Sequence, residues 1–257
     1  GRENIIFARD FLYVSNSKDV LIDSEFYNNR CDYLISAYSN ANMLVNNSIF
    51  IGNTVKKILR TDANDQSIIS ESVFKDNAAE NIVLSSDKNL SVLESTFSDN
   101  TISENGALNI ASGNAIVNGS IFTNNKANNY RNIYCASGNV NITNSVFDAL
   151  NVDYTVYDID YGQTETIEGT IDIGTNLNLP VNLDINGKIY SVNVTDGKFT
   201  YNAGILNGGD YTVVLNPKDV NSNTFVFDKI TKMFTVSRVD PGLSVSIADI
   251  TQGENLK

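Results

Sequence analysis

Histidine and tryptophan are absent from the 257 residues, and there are only three prolines, two cysteines and two methionines. Without histidine, Ser-His-Asp and Cys-His catalysis in their usual forms are excluded, as is every histidine-containing metal site. Two cysteines, Cys31 and Cys135, make no disulfide framework. Basic residues are also scarce, 18 against 30 acidic ones, for a net charge of −12. Nucleic acid and anionic membrane surfaces are therefore poor partners, because phosphate binding needs clustered Lys and Arg. No run of about 18 apolar residues is present, so no transmembrane helix is predicted, and the N-terminus lacks a signal-peptide pattern. With 42% apolar residues, the chain can nevertheless bury a core and is not disordered as a whole.

What the chain has instead is a phrase, Ser-x-Phe-x-x-Asn, that returns through the first 150 residues. Its phenylalanines are Phe26, Phe50, Phe74, Phe97, Phe122 and Phe147, spaced by 24, 24, 23, 25 and 25 residues. Counting each Phe as zero, position −5 reads Leu21, Val45, Ile69, Val92, Val117 and Ile142, and position −2 is always Ser. Position +3 is Asn in five copies, namely Asn29, Asn53, Asn77, Asn100 and Asn125. A second apolar run precedes each Phe, from Phe11-Leu12-Tyr13-Val14 to Ile133-Tyr134-Cys135. Repeats made only of short β-type segments cannot bury an apolar face alone, but stacked coils can. Like residues then stack on like, and Asn suits the tight corners, which accounts for 26 Asn in 150 residues. A parallel β-helix of about six coils is predicted over 1–150, right-handed because parallel crossovers almost always are. Leucine-rich repeats share the period but require a leucine consensus and helical backs. Cys31 and Cys135 fall about four coils apart, beyond the ~7 Å reach of a disulfide at roughly 4.8 Å per layer, so two thiols are expected. At Leu150 the Asn column ends, and the stack is expected to stop there and be capped.

Residues 151–168 read as a cap and linker that packs Tyr154, Tyr157 and Tyr161 over the open end. From 169 to 238 the pattern becomes short alternating stretches: 170–173, 181–185, 189–194, 199–201, 211–215, 225–227 and 233–236. Asn186-Gly187 and Asp196-Gly197 are hairpin signals, and Leu206-x-x-Gly209-x-Tyr211 is a tyrosine-corner phrase. These features predict an immunoglobulin-like β-sandwich, giving an all-β chain overall. Residues 239–257 read as a joint, Val239-Asp240-Pro241-Gly242, and the start of a further domain at Leu243-Ser244-Val245-Ser246-Ile247; the chain looks like a piece of something longer.

Together, the repeated Ser-x-Phe-x-x-Asn coils, the stretch 181–188, Leu206-x-x-Gly209-x-Tyr211-x-Val213 and Phe234-Thr235-Val236-Ser237-Arg238-Val239-Asp240-Pro241 resemble the large adhesin-like surface proteins of methanogenic archaea. The resemblance implies a pectin-lyase-like β-helix followed by Ig-like domains, an extracellular cell-surface location, and contact with a surface carbohydrate or protein of another cell. No catalysis and no cofactor are expected. The Gly-Gly-Ala-Ile that often opens the second strand in that family is missing, its nearest remnant being Glu104-Asn105-Gly106-Ala107-Leu108.

Candidate chemistry is sparse. Asp76 and Asp99 share position +2, and Glu71 and Glu94 share position −3. One layer apart, such carboxylates approach the roughly 5 Å separation of a retaining glycosidase, and the four together offer oxygen ligands for Ca²⁺. The plainer expectation is solvating surface, since no Lys or Arg column accompanies them. Lys56, Lys57 and Arg60 cluster in one coil only, and the repeated Ser has no activating base. Tyr27, Tyr33, Tyr38 and Tyr130 are candidates for an aromatic carbohydrate platform. Asn-x-Ser/Thr sequons begin at Asn46, Asn89, Asn118, Asn141 and Asn193. The expected assembly is a monomer. A polysaccharide lyase or hydrolase and a purely structural stalk are the rival readings.

Overall fold

The computed structural model describes residues 10–16, 19–39, 41–63, 65–174, 178–216 and 222–238, together with Gly242, Ser244 and Val245. The expected joint and further domain in 239–257 lie otherwise outside the described residues. Those described are all-β, without a helix, and those within 10–150 form a parallel solenoid of about six turns. No helix there is long and apolar enough to cross a membrane.

Each coil visits three parallel sheets. The first carries Asp10–Ser15, Arg30–Tyr38 and Thr54–Thr61, then continues in shorter pieces such as Asn81–Ser85, Leu108–Ile110 and Ile133–Cys135. The second runs from Asp19–Ile22 through Asn42–Asn46, Gln66–Ser70, Asn89–Leu93 and Asn114–Asn118 to Val140–Thr143. The third holds the Phe strands, Glu25–Tyr27 to Val146–Asp148. Registers place Phe26, Phe50, Phe74, Phe97, Phe122 and Phe147 directly over one another. Their rings stack nearly parallel with centroids 4.7 to 5.1 Å apart. This is the spacing of neighbouring strands, so the backbone ladder and the ring ladder share one repeat.

The polar columns are ladders too. Asn29, Asn53, Asn77 and Asn100 each donate Nδ2 to the Oδ1 of the next Asn at 2.8 to 3.0 Å. Each Ser backbone N–H from Ser24 to Ser120 donates to the Oγ of the next Ser, at 3.1 to 3.2 Å. Position −5 needs one correction. Leu21 is 67% exposed, and Ile22 fills the apolar column instead, paired with Val45. The first coil is one residue shorter between its second and third strands, which moves the inward side chain by one. Cys31 and Cys135 both remain thiols, as their separation requires.

Residues 151–168 contribute strands and do not gather their three tyrosines over the solenoid end. Val152–Thr155 pairs antiparallel with Thr164–Ile171, and both belong to a fourth, eight-stranded sheet outside the solenoid. Tyr154 is buried in that sheet, where its hydroxyl donates to the Val213 carbonyl at 2.7 Å and accepts the Lys232 amide at 3.1 Å. Tyr157 and Tyr161 are exposed. The sheet continues through Lys198–Ile205, Lys188–Thr195, Asn178–Ile185 and Gly209–Asn216 to Ile230–Ser237. At Asn186-Gly187 and Asp196-Gly197 both residues take positive φ, as two-residue hairpins of primed type require. Across the second hairpin the strands share only the Thr195–Lys198 pair before they part. Tyr211 donates its hydroxyl to the Asn207 carbonyl at 3.0 Å, the bond predicted from the tyrosine-corner phrase.

The stretch 225–227, expected among the sandwich strands, belongs elsewhere. Thr224–Phe225 pairs parallel with Val146 and Phe147 as a seventh strand of the solenoid's third sheet. Phe225 stacks on Phe147 at 5.6 Å, Asn223 Oδ1 accepts the Ser145 amide at 2.9 Å, and the Val226 carbonyl accepts the Leu150 amide at 3.1 Å. An open solenoid end would leave Phe147 and these amides unpartnered, and this segment supplies what a further coil would have supplied.

Candidate functional site

The carboxylate columns are turns. Glu71 and Glu94 have φ of 48° and 47°, and Asp76 and Asp99 have φ of 53° and 55°. Their columns read Asn47, Glu71, Glu94, Gly119, Asn144 and Asn28, Gly52, Asp76, Asp99, Asn124, Ala149, every member with positive φ. Only Gly, Asn and Asp adopt this conformation readily, so a backbone requirement accounts for most of the residue types found there. The recurrence of Asn and Gly at both positions, joined by Asp at +2, is the sequence signal that would have revealed it. The two columns flank the Phe strand on either side. Among the described residues no three Asp, Glu, Cys or His side chains converge to hold a metal ion.

The repeated serines are engaged as well. Ser72 and Ser95 donate Oγ to the carbonyls of Ser70 and Leu93 at 2.7 and 2.8 Å, while accepting the amide of the preceding coil. The basic cluster is likewise used internally. Lys56 pairs with Asp32 at 3.0 Å, and the buried Lys57 bonds Glu80 and, at 3.3 Å, Glu104. The Arg60 guanidinium lies over Tyr38 at 4.6 Å and over Tyr33 at 5.6 Å.

The four candidate tyrosines fall in three places. Tyr33 and Tyr38 share Arg60, and Tyr13 joins them with its ring 5.3 Å from Tyr38. Tyr13 is 57% exposed and was missed in the sequence, although its column, Tyr13-Ser36-Arg60, follows from aligning the apolar runs. Burial pushes the Tyr38 hydroxyl above its ordinary range, with Arg60 opposing. Tyr27 stands apart, exposed beside Glu25. Tyr130 lies at the other end of the solenoid, with its ring 5.1 Å from Tyr134.

Tyr130 lines a cleft of about 520 Å³ between the last coil and the eight-stranded sheet, with Asn128, Asn129, Asp172, Asp196 and Lys198. Arg131 ties its two sides together. Its Nε lies 3.2 Å from Asp172 Oδ2, its amide donates to Asp172 Oδ1 at 3.3 Å, and its guanidinium donates to the Ala149 carbonyl. Nearby, a second cleft of about 380 Å³ runs past Asp153, Glu168 and Lys198. No protein-family model matches this chain, and neither a curated protein nor a solved structure matches it.

Proposed function

We propose that the chain is part of an extracellular, cell-surface adhesin of the type found in methanogenic archaea, binding a carbohydrate or protein of another cell without catalysis. In this reading the solenoid is a right-handed β-helix that forms the head or stalk. The unit built on the eight-stranded sheet is an Ig-like sandwich that serves as a spacer, and the chain is a monomer. One observation carries the reading: the repeated Ser, Phe and Asn bond or stack with their own kind in the next coil. Recognition is then left to outward positions, where the copies differ and where Tyr13, Tyr33, Tyr38 and Arg60 gather. Flat aromatic faces with polar rims suit sugar rings, and a long regular surface suits many weak contacts at once.

The test is retention of the fragment on cells and on an array of surface glycans, run beside incubation with pectin, glycosaminoglycans and pseudomurein. Retention without turnover is expected. Turnover abolished by Asp76→Ala or Asp99→Ala would establish the polysaccharide-enzyme rival. No retention by this fragment, with retention by a longer protein containing it, would reduce it to a stalk.

A further inference from the structure

The cleft beside Tyr130 joins a concave shape, mixed chemistry and an unusual backbone conformation in one place. Its volume, about 520 Å³, lies within the range of roughly 300 to 1,000 Å³ typical of small-ligand clefts. Its walls combine an aromatic ring, three carboxamides, carboxylates and an ammonium group. Tyr130 has φ of 45°, whereas most other non-glycine residues of the solenoid in that conformation are short polar ones at turns. For a ring-bearing residue this is an outlier, and such strain gathers where a surrounding structure holds a side chain in place for a ligand. Arg131, the next residue, binds the opposite wall through Asp172, so the cleft is formed before anything enters it.

We propose that this cleft is a saccharide subsite that takes one pyranose of a neutral glycan. The C–H face of the sugar lies on the Tyr130 ring, and its hydroxyls meet Asn128, Asn129, Asp172, Asp196 and Lys198. The proposal rests on the adhesin reading. Neutrality follows from the charges around the cleft. Arg131 offsets Asp172, and Lys232, 2.8 Å from Asp153, offsets that carboxylate. Asp196 and Lys198 then balance, leaving no excess positive charge for a uronate or sialate in a chain of net charge −12.

The experiment titrates the full chain with the methyl glycosides of glucose, galactose, mannose and N-acetylglucosamine, and with methyl glucuronide, following backbone amides by NMR. At least one neutral glycoside shifts the amides of Asn128, Asn129, Tyr130 and Lys198, and the glucuronide does not. Tyr130→Asn removes the ring but keeps a residue that accepts the left-handed backbone; it weakens that binding about tenfold with an unchanged melting temperature. Lys198→Gln, at an exposed position, weakens it independently. The proposal is overturned if none of the four neutral glycosides reaches the cleft, if Tyr130→Asn binds undiminished, or if the glucuronide binds better. Binding that maps instead to Tyr13, Tyr38 and Arg60 overturns the subsite and leaves the adhesin reading standing. Absence of any glycan or cell binding by this or a longer chain overturns both.

Discussion

Asn77 shows what a single residue does in this fold. Its Oδ1 accepts the Asn53 amide and the Asn53 Nδ2, both at 2.9 Å, while its Nδ2 donates to the Phe50 carbonyl at 2.9 Å and to Asn100 Oδ1 at 3.0 Å. Asn77→Leu strands buried partners on both sides and should cost about 3 kcal/mol, read from urea unfolding. Leu150 is tolerated in the same column because it is the last rung; Asn125 turns its Nδ2 to Asn132 Oδ1 at 3.2 Å instead. The left-handed columns alter an expectation drawn from surface position alone. Asp76→Ala, which looks silent on an exposed side chain, should cost about 1 kcal/mol because alanine resists φ near 53°. Asp76→Gly should be nearly neutral, and Glu71→Asn should stabilise by about 0.5 kcal/mol. Equal unfolding midpoints for all three variants would remove the backbone explanation. The buried Asp87 adds a pH dependence. Its Oδ1 accepts the Ala63 amide at 2.5 Å, while Oδ2 has no hydrogen-bond partner within the geometric limits among the described residues. Burial pushes its carboxyl above the ordinary range, against the Ala63 bond, so the folded state holds the proton more tightly than the unfolded chain. This contribution to stability is complete below the unfolded pKa and is lost as pH rises through the folded one. Asp87→Asn, which fixes the neutral state, should therefore gain on the parent as pH rises through that window, measured as the difference in urea midpoint.

At the scale of elements, the ring stack determines how much a coil can lose. Phe74 and Phe97 are fully buried, with a neighbouring ring above and below. Phe97→Ala should cost about 3 to 5 kcal/mol from lost burial and the cavity left behind. Phe74→Asp should abolish the stack, because it places a charge between two apolar rings. Circular dichroism and urea unfolding separate these from the milder turn variants. Because each coil touches only its neighbours, the Phe97→Ala defect should also lower hydrogen-exchange protection most at 72–75 and 120–123. The period was legible in the sequence because every coil repeats the same inward demands. The one-residue shift at Leu21 and Ile22 was not, since counting back from Phe26 assumes equal turns and the first turn is shorter.

At the scale of the molecule, the eight-stranded sheet is joined to the solenoid by more than a linker. Asn223 and Phe225 reach back 78 residues from their place near the end of the chain to complete the ladders at Ser145 and Phe147. Arg131 adds a tie at the other side of the junction. Phe225→Ser should lower protection of residues 142–150 in hydrogen exchange, although the substitution lies outside the repeats. Unchanged protection there would show two units that unfold independently.

The residues determined by the sequence itself were those whose environment recurs or is local. The Phe, Ser and Asn columns recur every coil, and the Asn186-Gly187 hairpin and the Tyr211 corner are settled within a few residues of chain. Tertiary structure alone decided where distant segments meet. Phe225 reads as one alternating strand among several, and nothing in its neighbours marks it as the seventh rung. Tyr13 joins Tyr38 and Arg60, and Tyr130 comes to face Asp172, Asp196 and Lys198, only when coils stack and the eight-stranded sheet docks. Such contacts depend on how the chain closes in space, and they leave no period and no local pattern behind.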